Sequence, residues 1–130
     1  KPEDAMQKAV FDHIAKRAVP GAIFWHVPNQ GRRGGLAGLK DGARFKALGL
    51  RAGWPDINAL HDGKFFALEL KALSGSSSEI QTLRRMEINA AGGFAAEAKG
   101  LLAALACLEA WGLLKPDKSL SQFAAESEAA

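Results

Sequence analysis

Two carboxylates and a lysine stand out in the stretch Trp54 to Lys71, because their spacing suits a single hairpin. Ile57, Ala59 and Leu60 read as one short strand and Phe65 to Leu70 as a second. Between them lies Asp62-Gly63, a dipeptide that two-residue hairpin turns prefer. A register that faces Leu60 with Phe65 also faces Asp56 with Glu69, bringing their Cβ atoms to about 4.5–5.5 Å. Like charges that close destabilise a sheet unless one acid holds a proton or a cation lies between them. Side chains alternate along a strand, so Glu69 and Lys71 share a face while Phe66, Leu68 and Leu70 line the other, core-facing one. Two acids converging with a lysine are suited to holding a metal ion. The plainer alternative makes Asp56 a turn residue after Pro55, and Glu69 with Lys71 a solvated strand face of alternating charge.

The elements around the hairpin must place these groups. A first helix is expected from Pro2 to Arg17, with proline in its first turn, Glu3 and Asp4 at the positive end of its dipole, and Met6, Val10 and Ile14 as its buried stripe. On this helix alone, dipole complementarity accounts for Glu3. His13 has no second ligand type at helical spacing and reads as a packed or surface histidine. The run GAIFWHVP from Gly21 to Pro28 predicts a strand buried on both sides. Asn29 to Gly35, NQGRRGG, is a basic glycine loop suited to phosphates, and it lacks the lysine-hydroxyl pair of a nucleotide-binding loop, so no nucleotide cofactor is expected. Leu36 to Leu48 reads as a modest helix carrying Lys40, Arg44 and Lys46, capped by Gly49.

After Lys71, Ser78 and Gln81 have the spacing of a capping box. The helix they open is expected to bury Ile80, Leu83, Met86 and Ala90 and to expose Arg84 and Arg85. Phe94 to Ala98 reads as a strand and Gly100 to Trp111 as an apolar helix. The last two strands are expected to join a mixed sheet through a right-handed crossover. Beyond Pro116 the chain is acidic and alanine-rich.

At 130 residues, 48% hydrophobic and 24% charged, the chain has the makings of one soluble domain with a core. No apolar run is long enough to span a membrane, and no signal peptide is expected. Cys107 is the sole cysteine, which excludes an internal disulfide and a cysteine-rich zinc site. Its leucine neighbours predict a buried small hydrophobe in a reducing compartment. From Asn29 to Gly53, six basic residues (Arg32, Arg33, Lys40, Arg44, Lys46 and Arg51) stand against Asp41, a net of +5. Such a block beside a carboxylate cluster suits a polyanion brought to a metal; a solvated surface helix is the other account. Nothing supplies the nucleophile constellation or zinc ligands of a small-molecule hydrolase or deaminase.

Pro55-Asp56, followed one hairpin later by Glu69-Leu70-Lys71, resembles the PD-(D/E)xK nuclease core. The flanks extend the match in order: E-x-x-x-Q at Glu3 and Gln7, V-P-N ending at Asn29, the basic glycine loop, K-A-L-G ending at Gly49, the serine-led helix with Gln81, and W-G-L-L ending at Leu114. From about Glu3 to Leu114 the chain resembles a compact stand-alone member of the VRR-NUC family, a nuclease domain that also closes the Fanconi-anaemia-associated nuclease and occurs alone in phages and bacteria. The resemblance implies an α/β, restriction-endonuclease-like mixed β-sheet flanked by α-helices over residues 1–115, with 116–130 as a tail. It implies hydrolysis of DNA phosphodiesters with Mg2+, for which Mn2+ would substitute. Asp56, Glu69 and the backbone carbonyl of Leu70 correspond to metal ligands, Glu3 to a first-helix acid completing the site, Lys71 to the catalytic lysine and Gln81 to the glutamine bordering it. Asn29 matches in position, and with Arg32, Arg33, Lys40, Arg44 and Lys46 it makes up the expected DNA contacts. Stand-alone members are expected to act as homodimers on branched DNA, resolving four-way (Holliday) junctions in the cytoplasm of a bacterium or a phage-infected host. The alternatives are a general or flap-type nuclease and a catalytically inert DNA-binding module of the same fold.

Overall fold

The computed structural model describes residues 2–28, 43–44, 46–49 and 51–117. A two-residue turn at Asp62-Gly63 builds its centre. Both residues adopt positive φ, 52° and 75°, the pairing that matches the twist of a tight hairpin and explains the glycine. The turn joins β2 (Ile57–His61) to β3 (Lys64–Lys71) in antiparallel register, with Leu60 opposite Phe65 and Ile57 opposite Leu68, as the sequence predicts. On one side β1 (Ile23–His26) adds antiparallel to β2; on the other, β4 (Phe94–Lys99) adds parallel to β3, giving a mixed sheet in the order β1-β2-β3-β4. The crossover between the parallel strands is α2 (Glu79–Ala90), while α1 (Pro2–Arg17) opens the described chain and α3 (Leu101–Ala110) follows β4.

One face of the sheet carries the core. Ile57, Ala59, Phe66, Leu68, Leu70 and Ala98 pack against Val10 and Ile14 of α1 and Ala104, Leu105 and Leu108 of α3. Each large aliphatic side chain buried there contributes about 1.5–3 kcal/mol. Cys107 packs at the edge of this cluster, and burial pushes its thiol up to about 11, so it is a hydrophobe rather than a nucleophile.

Two expectations are corrected. β1 is an edge strand of the described sheet and its Ile23 and Trp25 are exposed; among the described residues its apolar run has a strand neighbour on only one side. α2 lies the other way round from its apolar periodicity. Ile80, Leu83 and Met86 are 43%, 52% and 62% exposed, whereas the Arg84 and Arg85 side chains are largely covered, and Ile88 alone among its large apolar residues is buried. The surface beneath it explains the inversion. That face of the sheet presents Glu69, Lys71 and Glu97, and buried charges require polar partners.

Candidate functional site

Asp56 and Glu69 are 1% and 2% exposed, which removes the solvated-face alternative. The Asp56 backbone is pinned by its neighbours: its carbonyl accepts from Val27 N–H at 3.1 Å and lies 3.0 Å from His26 Nδ1. Pro55 is held from below, where buried Asn58 donates to its carbonyl at 3.1 Å and accepts from Trp54 Nε1 at 2.7 Å. The Trp54 ring packs against Phe65, a use for its bulk that the sequence did not show. Asp56 Oδ2 accepts from the Leu70 N–H at 2.9 Å, so the carboxylate lies against the strand that carries Glu69.

Glu69 Oε1 accepts from Gln81 Nε2 at 3.2 Å and has Lys71 Nζ at 3.9 Å, while its Oε2 is buried with no hydrogen-bond partner among the described residues. Burial, then the adjacent Asp56 carboxylate, lift the Glu69 carboxyl from 4.5 to about 9; Lys71 and Arg85 pull the other way. Two acids held so close are completed by a proton or a cation. A hard divalent ion such as magnesium binds through one or two carboxylates and keeps other positions for water or phosphate, so this oxygen pair, with one atom unpartnered, fits it.

Gln81 answers both descriptions that its sequence position allows. Its Oε1 accepts from the Ser78 N–H at 2.9 Å while the Ser78 hydroxyl accepts from the Gln81 N–H, the full capping box, and its Nε2 reaches Glu69. Behind it, Arg85 donates to Ser77 Oγ at 2.9 Å and to Glu97 Oε2 at 3.2 Å, and Ser77 Oγ donates to the same carboxylate at 2.5 Å. Sequence reasoning missed Arg85, Glu97, Ser77, His26 and Asn58. The one signal was E-A-K at Glu97–Lys99, repeating E-L-K, which gains meaning only once the parallel register is known.

The remaining expected site residues are not all gathered here. Among the described residues no group of three or more His, Cys, Asp or Glu side chains is placed to hold an ion, and Glu3 is half-buried in the first turn of α1. A carboxylate at the first turn of a helix is accounted for by the dipole. Leu70 turns its side chain into the core. Arg44 and Lys46 are exposed helical residues, and Gly49 in the turn that follows has a φ of 96°, which suits its capping place. Arg51 is engaged with Glu87. Asn29, Arg32, Arg33 and Lys40 lie outside the described residues, as do Leu120 and Phe123 of the tail.

No family model matches the chain, and no curated protein matches it. A solved structure, that of a VRR_NUC domain protein, matches with a TM-score of 0.65 at 22% identity, over 82% of this chain and 84% of that one. The likeness is one of fold: a mixed four-stranded sheet with helices on both faces, the architecture that the resemblance implied. No described helix is long and apolar enough to cross a membrane.

Proposed function

We propose that this chain is a metal-dependent, structure-specific DNA endonuclease that resolves four-way junctions as a homodimer in the cytoplasm. The observation that carries the reading is the buried Asp56–Glu69 pair with Lys71 and Gln81 against it, on the fold of a VRR_NUC domain protein.

Asp56, Glu69 and the Leu70 carbonyl would hold magnesium, or manganese in its place. When bound, the ion offsets negative charge developing on the phosphate and the leaving oxygen and lowers the pKa of the attacking water. The protein's own groups do the rest. Leu70 N–H orients the Asp56 carboxylate, and Gln81 Nε2 holds Glu69 by its Oε1 beside it. Lys71 carries its positive charge beside the carboxylates, where it stabilises a phosphate as charge accumulates on it. Contacts from Arg44 and Lys46, with the basic segment before them, would position the backbone without reading bases.

One hairpin supplies one site, whereas resolving a junction takes two symmetric nicks, which a two-fold dimer provides. The outward apolar face of α2 supports the two-copy part of the reading. The test is cleavage of end-labelled linear duplex and four-way junction with magnesium or chelator, alongside sedimentation at micromolar concentration. Paired nicks in the junction by a dimer, abolished by chelator, are expected. A monomer that cuts linear duplex as fast would be a general nuclease. DNA binding without cutting would make it an inert module.

A further inference from the structure

β4 repeats the E-x-K pattern of β3 and does so in register: Glu97 lies beside Glu69 and Lys99 beside Lys71. Neighbouring strands are about 4.8 Å apart, and residues paired in register present their side chains to one face. The two β4 residues have different fates. Glu97 is consumed by the protein, since Ser77 Oγ donates to it at 2.5 Å and the Arg85 guanidinium at 3.2 Å cancels its charge. Lys99 is exposed, and no acid lies within ion-pair distance of it among the described residues. Lys71 beside it leans on Glu69. Two lysines side by side across a strand pair repel, and an anion shared between them relieves the repulsion.

Resting on the nuclease reading above, we propose that Lys99 is a substrate-binding residue, holding the DNA phosphate next to the one presented to Lys71. Its flexible four-carbon stem and compact ammonium suit a contact that follows the backbone without reading sequence. Arg85 makes this possible at a distance: by neutralising Glu97 it keeps a third carboxylate from facing the phosphates. The assignment gives DNA a direction over the sheet, from the Asp56–Glu69 pair outward across the carboxyl ends of β3 and β4.

The test is fluorescence anisotropy on a labelled four-way junction in chelator, titrated between about 50 and 200 mM salt. Lys99→Ala should lower the salt slope by about 0.9, so that a fourfold rise in salt weakens it about 3.5-fold less than the wild type. Lys99→Arg should restore the slope. Lys64→Ala, exposed at the far end of β3 about 23 Å away, should leave it unchanged. With metal, the Lys99→Ala defect should fall on KM rather than kcat. An unchanged slope in Lys99→Ala, as for a lysine that merely guards a sheet edge, overturns the assignment, and so does an equal drop in Lys64→Ala. Cleavage by the wild type would leave the nuclease reading standing in either case. A wild type without salt-dependent DNA affinity overturns both.

Discussion

Between about pH 6 and pH 8 the metal-free protein is expected to lose stability, and Glu69→Gln to abolish most of that loss. Burial and the Asp56 carboxylate raise Glu69 from 4.5 to about 9, so across this window the folded protein keeps a proton that the unfolded chain has released. The unfolded state binds fewer protons, and stability therefore falls as pH rises. Across these two pH units the loss is on the order of 2–3 kcal/mol, on the order of 10 °C in Tm for a domain of this size. Above about 9 the carboxyl ionises in both states and the dependence ends. Glu69→Gln keeps an oxygen for Gln81 Nε2 but has no proton to lose. Magnesium or manganese should restore wild-type stability at pH 8, with about one proton released per ion bound, because a cation then replaces the proton. Thermal denaturation in chelator at pH 6, 7 and 8 reads this directly. Equal slopes in the wild type and Glu69→Gln would refute the placing of the proton on Glu69.

Asp56→Asn should lose manganese binding by calorimetry while keeping an acceptor for the Leu70 N–H; undiminished binding would put the ion elsewhere. Lys71→Ala should bind manganese normally and cut DNA about 10²–10³-fold more slowly, and wild-type turnover would remove its role. At Gly53, φ is 75° and an added Cβ would lie 2.9 Å from the Ile80 carbonyl oxygen, so Gly53→Ala should cost on the order of 2 kcal/mol in urea denaturation. A loss below about 0.5 kcal/mol would mean that the loop gives way. Leu83→Glu should change protomer stability by no more than about 0.5 kcal/mol and weaken self-association in sedimentation; a dimer indifferent to it uses another surface.

The hairpin was legible because its signals are local and its period is two: Asp62-Gly63 fixes the turn, and the turn fixes which residues face one another. The capping box at Ser78 and the buried stripe of α1 are local too. α2 was misread because an apolar stripe predicts the buried side only when the covered surface is itself apolar. Here that surface includes Glu69, Lys71 and Glu97, and it draws Gln81 and Arg85 inward. Placing Glu97 beside Glu69 requires the β3–β4 register, which nothing local encodes. The edge position of β1 is equally a property of the assembled sheet. Glu3 entered through the family resemblance, and a short motif on a separate helix carries no distance to the hairpin.

Gln81 spends both ends of one amide, the oxygen on the start of α2 and the nitrogen on Glu69. Its orientation is therefore settled by the cap: with Oε1 facing the Ser78 N–H, only the NH2 end can face the carboxylate. Opening of the first turn of α2 is therefore expected to release the acid beneath it. Helix ends are the first places to open in a folded protein, so the geometry around Glu69 should come apart at a temperature below that at which the sheet melts. Amide exchange at the start of α2 would then report the integrity of a centre to which those amides do not belong.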